Sequence, residues 1–188
     1  MQGHATIERS DGFCWAGECR NGLENGQGSA RWPDGCTYEG NYADDLRSGM
    51  GTMRYPDGTV YEGYWYMDVR SGQGTMTYPD GTTYKGLFQD DKANGHGVLS
   101  CVDGRHYEGE FRDGVKNGQG VFDWPDGQHY EGEFRNDVRW GRGKSTWKNG
   151  KSHEGEYRND QEHGMGKTMY ADYGYYEGQW KYGWRWGK

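Results

Sequence analysis

The chain has little of what a layered domain is built from. Only 31% of its 188 residues are hydrophobic, too few for a conventional core. No run approaches the ~18 consecutive apolar residues of a membrane span. The first residues lack the basic-then-apolar order of a signal peptide, so a cytoplasmic setting is expected. Basic charge is in deficit: the net charge is -7, spread along the whole length without a basic tail. That argues against nucleic acid as a partner and leaves at most a weak contact with phospholipid. Cysteine is scarce, and Cys14, Cys19, Cys36 and Cys101 form no CxxC pair and keep no regular spacing. Neither a disulfide framework nor a zinc ribbon is indicated, and reduced thiols are expected. Gly-x-Ser-x-Gly, phosphate-loop and Cys–His nucleophile patterns are missing, so no enzymatic activity and no cofactor are expected.

What the chain does have is glycine, 35 copies, and aromatic rings: 16 Tyr, 9 Trp and 5 Phe. That wealth of rings separates it from disordered chains of similar polarity. The rings recur every 23 residues. Tyr38, Tyr61, Tyr84, Tyr107 and Tyr130 mark position 0 of successive repeats, with Trp15 before them and His153 and Tyr176 after. Position +2 is always glycine, from Gly17 to Gly178. Position +4 carries Cys19, Tyr42, Trp65, Phe88, Phe111, Phe134, Tyr157 and Trp180. Paired glycines follow at +11 and +13, such as Gly49 and Gly51. Position +17 carries Trp32, Tyr55, Tyr78, Trp124, Trp147 and Tyr170, with Cys101 the exception. Pro33, Pro56, Pro79 and Pro125 come next, each followed by Asp-Gly.

Side chains alternate across a strand, so positions 0, +2 and +4 share one face, and +11, +13, +15 and +17 alternate in the same way. Each repeat reads as a hairpin. Its first turn is expected at +6 and +7, where Asn21-Gly22, Asp44-Asp45, Asp90-Asp91, Asp113-Gly114, Asn136-Asp137 and Asn159-Asp160 tolerate positive φ. The second is the Pro-Asp-Gly step. Glycine weakens a strand, and the expected compensation is a slot for a ring from the adjacent strand. The expected fold is therefore all-β, an elongated single-layer array of antiparallel β-hairpin repeats. It is read as one array over residues 1–188, with repeats starting near 15, 38, 61, 84, 107, 130, 153 and 176. About sixteen strands would form a twisted ribbon roughly 70–80 Å long.

The segment Tyr61-Glu62-Gly63-Tyr64-Trp65 followed by Gly72-Gln73-Gly74, with its equivalents in each repeat, resembles the MORN (membrane occupation and recognition nexus) repeat. The resemblance covers essentially the whole chain. It implies a β-hairpin array with an inner surface of aromatic and glycine columns, no catalytic site of its own, and roles as a cytoskeletal or membrane-linked scaffold. Self-association through a terminal repeat is also implied. Departures are Trp15 with Cys19, Cys101 with Val102, and His153.

Three candidate sites follow. Tyr38, Tyr42, Tyr55, Tyr61, Trp65, Tyr78, Tyr84 and Phe88, continued by Tyr107, Phe111, Trp124, Tyr130, Phe134, Trp147 and Tyr157, form an aromatic groove or core. Trp180, Tyr182, Trp184 and Trp186 alternate along what reads as a last, unpaired strand, and open edges invite pairing; a homodimer through them is expected. Cys101, His106 and His129 would be the ligands if a zinc site formed across a dimer, but the scattered thiol gives no ligand pattern, and no metal is expected. Glu39, Glu62, Glu108, Glu131, Glu154 and Glu177 at +1 read as a solvated outer face. The reading favoured by these features is a non-catalytic scaffold that binds protein partners, cytoskeletal ones first. The alternatives are a phosphoinositide-binding module, for which Arg31, Arg54 and Lys85 would supply the charge, and an accessory domain of a larger enzyme.

Overall fold

A computed structural model describes residues 2–172 and 174–187. Among these residues there is no helix, and so none long and apolar enough to cross a membrane. The chain divides into two compact units, one ending at Ala93 and the other beginning at Asn94. The first holds β1 (Gln2–Glu8), β2 (Cys14–Arg20), β3 (Leu23–Arg31), β4 (Thr37–Ala43), β5 (Leu46–Arg54), β6 (Val60–Tyr66), β7 (Val69–Thr77) and β8 (Thr83–Gln89). The second holds most of β9 (Lys92–Ser100), then β10 (His106–Arg112), β11 (Val115–Asp123), β12 (His129–Arg135), β13 (Val138–Thr146), β14 (Ser152–Arg158), β15 (Gln161–Met169), β16 (Tyr175–Lys181) and β17 (Trp184–Trp186). Within each unit consecutive strands pair antiparallel: β1 through β8 in the first, β9 through β17 in the second. The array of antiparallel hairpins expected from the period is thus the observed architecture.

Both turns follow from local chemistry. At +6 and +7 the two central residues take positive φ, 47° and 68° at Asp44 and Asp45. Two such residues match the right-handed twist of the flanking strands. Met67 and Asp68 make the same turn, with φ of 49° and 67°, although methionine has neither the small side chain nor the local hydrogen bond that eases this conformation. The second turn closes when Gly58 N–H donates to Tyr55 O at 3.0 Å, while Thr59 N–H donates to the Asp57 carboxylate at 2.8 Å. The same carboxylate or amide cap recurs at Asp34, Asp80, Asp103, Asp126 and Asn149.

The glycine columns divide by task, which alternation alone does not reveal. In β4 and β5 the register moves from Gly40↔Gly51 to Tyr42↔Arg47, so Ser48, Gly49 and Met50 all oppose Asn41. This bulge recurs in each hairpin from β2–β3 to β14–β15 within the two units. Gly49, at +11, sits in it with φ of 95°, a backbone conformation that a Cβ opposes. Positions +2 and +13 instead make room for a ring. A Cβ on Gly63 would lie 2.5 Å from the Tyr61 hydroxyl and 2.6 Å from Gly74 Cα. The ring in this slot belongs both to the glycine's own strand, over Gly63, and to the adjacent strand, over Gly74.

The core of each unit is a file of rings meeting edge to face. In the first unit Trp15, Tyr42, Tyr38, Trp65, Tyr61 and Phe88 follow one another at centroid separations of 5.0–5.8 Å, each contact close to perpendicular. The second unit repeats this from Tyr107 and Phe134 through Tyr130, Tyr157 and His153 to Trp180 and Tyr176. Such pairs contribute roughly 0.5–1.5 kcal/mol each beyond area burial. Residues at +15 back them: Ala30, Met53, Met76 and Phe122 are buried, as are Ser145 and Thr168.

Candidate functional site on the ring face

The tyrosines at position 0 cross their glycine slot to reach the bulge. Tyr38, Tyr61 and Tyr84 donate to the carbonyls of Asn41, Tyr64 and Leu87, and Tyr107, Tyr130 and Tyr176 to those of Glu110, Glu133 and Gln179, at 2.9–3.0 Å. Burial pushes the phenols of Tyr38, Tyr61, Tyr84, Tyr107 and Tyr130 up, that of Tyr38 to about 12, so these five stay protonated donors at any physiological pH. Trp15 and His153 cannot make this bond. His153 is fully buried, bonds Thr168 Oγ1 through Nδ1 at 2.7 Å, and leaves Nε2 without a partner. Burial holds its pKa below the ordinary histidine value.

Beside the ring file runs a row of cations at +9. Arg47 pairs with Asp68 and Arg70 with Asp91, both at 2.8 Å. In the second unit Lys116 faces Asp137 at 3.8 Å and Arg139 faces Asp160 at 3.4 Å. The acid is the +7 residue of the following turn, 21 residues on. It also accepts the main-chain N–H of the cation's residue, as Asp68 does from Arg47 at 3.0 Å. Each cation lies over rings: Arg47 over Trp65, Trp32 and Tyr38, Arg139 over Tyr157, Trp124 and Tyr130. Acid, cation and ring therefore stand side by side on the ring face. Sequence reasoning missed this row, although Arg and Lys recurring at +9 with Asp at +7 was a readable signal.

The candidate groove residues sort by depth. Tyr38, Tyr42, Tyr61, Trp65, Tyr84, Phe88, Tyr107, Phe111, Tyr130, Phe134 and Tyr157 are all buried and form the core. The +17 rings stand higher: Tyr55, Trp124 and Trp147 are half-buried, like Trp32, and Tyr78 is 43% exposed. Only this second set, with the cations, presents surface to another molecule.

At the start of the row the charge reverses. The +9 residue there is Glu24, 9% exposed, whose N–H donates to Asp45 Oδ1 at 2.7 Å. Burial first, then the Asp45 charge, raises its carboxyl to about 7.

The opposite face is mixed, with Met50, Tyr64, Leu87 and Met165 exposed among charged residues. The six +1 glutamates are exposed, and Arg31, Arg54 and Lys85 share that face with Glu39 and Glu62. His106 Nδ1 lies 3.1 Å from Ser100 Oγ, and His129 Nδ1 lies 2.6 Å from Asp123. Cys101 joins neither, and among the described residues no three His, Cys, Asp or Glu side chains converge as metal ligands. In the second unit Glu110 and Glu133 accept the bulge N–H groups of Gln119 and Arg142 at 3.0 and 2.8 Å.

The four residues singled out at the C-terminal end do not share one face. Trp180 lies on β16, buried in the ring file. Tyr182 occupies the turn with φ of 52°. Trp184 and Trp186 lie on β17, opposite Lys181 and Gln179, and are 78% and 54% exposed. The reason is the turn at Tyr182 and Gly183, which reverses the chain after Lys181. The strand β17 is paired on one side, with β16.

Comparison with known proteins places these features in a family. The MORN repeat model matches residues 15–37, 38–60, 61–83, 84–104, 107–129, 130–152, 153–175 and 176–188. No curated protein matches by sequence. Among solved structures, the SAS-4 (dCPAP) TCP domain of Drosophila melanogaster, in complex with a proline rich motif of Ana2 (dSTIL), is 12% identical. It aligns over 95% of this chain and 90% of that one, with a TM-score of 0.50. The G-box domain of the microcephaly protein CPAP is 16% identical over 95% of this chain and 99% of that one, with a TM-score of 0.51. At such identities the likeness is one of fold.

Proposed function

The chain belongs to the MORN-repeat family, and on that footing we propose that it is a non-catalytic adaptor whose ring face holds an extended segment of a partner protein. The observation that carries this reading is the side-by-side row of acid, cation and partly exposed ring. Half-exposed aromatics set at the repeat interval suit a chain in extended or polyproline conformation, whose prolines stack on rings and whose carbonyls accept from arginine. The fold neighbour bound to a proline rich motif supports the same choice of partner. A cytoskeletal partner and a cytoplasmic setting are consistent with the role in centriole elongation suggested for the CPAP G-box domain. The test is capture of partners by the intact chain against a Tyr55→Ala, Tyr78→Ala variant with an unchanged circular dichroism spectrum. Loss of most captured protein is expected; an identical set would overturn the reading.

Self-association belongs to the same proposal. Trp184 and Trp186 offer exposed apolar area on a short strand with an open edge, where a second copy could add its own β17. Light scattering at tens of micromolar is expected to give a dimer mass that falls to a monomer in Trp184→Ser, Trp186→Ser. A monomer in the unaltered chain would remove this part.

A further inference from the structure

The cation row has two reversed members, Glu24 and Glu162; the turn residue facing Glu162 is Gly183, and only at Glu24 does a second acid, Asp45, complete a site that lacks its cation. We infer that the recess around Glu24 is a socket for a lysine or arginine side chain supplied by a partner protein, held between Glu24 and Asp45 over the neighbouring rings.

The main chain around Glu24 has the same cradle as that around Arg47. Asp45 N–H donates to Glu24 O at 3.1 Å and Glu24 N–H to Asp45 Oδ1 at 2.7 Å; Asp68 and Arg47 exchange the same two bonds at 3.0 Å each. Where Arg47 lays its own guanidinium over rings and against Asp68, Glu24 brings a second carboxyl toward Asp45. The place that a cation fills in the next repeat is left as a recess of about 450 Å³, walled by Ile7, Phe13, Trp32 and Tyr42 with Glu24 and Asp45 at its side.

A second observation points to a missing polar partner. Tyr42 is 6% exposed and lines the recess; its hydroxyl faces the Trp15 indole N–H, but neither group makes a hydrogen bond of ordinary geometry. A guanidinium or ammonium N–H would satisfy this oxygen while pairing with the two carboxylates. Two of the protein's own cations line the recess as well: Arg9 lies 4.6 Å over Phe13, where its charge acts on Glu24 from a distance, and Arg47 is bound to Asp68. Among the described residues neither is paired with Glu24 or Asp45.

The ligand chemistry is thus set by the protein's own repeat: a cation, two acids and an aromatic wall. The inference rests on the ring face being the binding face, but it is tested separately. N-acetyl-arginine amide is titrated into the intact chain, followed by the indole N–H signals of Trp15 and Trp32 in nitrogen-15 NMR spectra. N-acetyl-citrulline amide, of the same shape without charge, serves as the comparison. Saturable shifts at those indoles are expected with the arginine derivative, at least tenfold weaker with citrulline and absent in Glu24→Gln. In Glu24→Arg the chain should fill its own socket, with a higher Tm and no response. Equal shifts from both derivatives, or unchanged shifts in Glu24→Gln, would overturn the inference. Because Glu24→Gln preserves size, it decides even where Glu24→Arg fails to fold. Unchanged partner capture in the Tyr55, Tyr78 variant, together with a saturable arginine response that Glu24→Gln abolishes, would count against the peptide groove and leave the socket standing.

Discussion

At the scale of single residues, glycine and tyrosine act as one unit. Tyr61 spans Gly63 and Gly74 to donate to Tyr64 O, so each partner is useful only with the others. Tyr61→Phe keeps the ring and loses one hydrogen bond, leaving a carbonyl unsatisfied, at a cost of about 1 kcal/mol. Gly74→Ala places a Cβ against the ring and is expected to cost more, roughly 1–3 kcal/mol from overpacking. Urea unfolding of the two variants checks the order; equal effects would mean that the slot yields. Met67 is the reverse case. Asparagine suits its positive φ better, and Met67→Asn is expected to raise stability by up to about 1 kcal/mol. Tyr61, Gly63 and Gly74 were legible because the information is local, an alternation and a bare Cα; the turn at Met67 was not, because methionine carries no turn signal.

Between elements, the second residue of each first turn ties one hairpin to the one before. Asp68 accepts both the N–H and the guanidinium of Arg47. Asp68→Asn keeps an acceptor for the N–H and loses the charge, a change of under about 1 kcal/mol for a pair partly open to water. Asp68→Ala also leaves the N–H without its acceptor and is expected to cost roughly 1 kcal/mol more. Denaturation in low and high salt separates the contributions: the Asn effect should shrink with salt, the additional Ala effect should not. The sequence displayed both columns, yet pairing them needs the bulge, which sets the register by which Tyr42 opposes Arg47. A bulge leaves only a glycine as its mark, and alternation alone gives that glycine no task beyond a ring slot.

Across the whole molecule, two buried groups give stability opposite dependences on pH. The Glu24 carboxyl is raised to about 7 by burial and by Asp45. The folded state then binds the proton more tightly than the unfolded one, so its contribution favours folding at acid pH and is lost as pH rises from the unfolded value through 7. His153 is depressed by burial, and its contribution is present above the unfolded histidine value and lost as pH falls through the folded one. Thermal unfolding from pH 5 to pH 8 is expected to lose its alkaline decline in Glu24→Gln and its acid decline in His153→Tyr. An unchanged profile in both would show that neither group titrates as its surroundings require.

The sequence by itself determined the hairpins, their turns and the faces of their strands, because period, φ preference and alternation act within a few residues. Only the tertiary structure decided which rings are core and which are surface. The same holds for Trp180, which the tertiary structure assigns to the ring file, while Trp184 stands in solvent after a turn. Burial depends on what the neighbouring strand places opposite, and that is set by register. The charge reversal at Glu24 was visible as a letter, but what faces it, Asp45 21 residues on and the walls of the recess, is set by register.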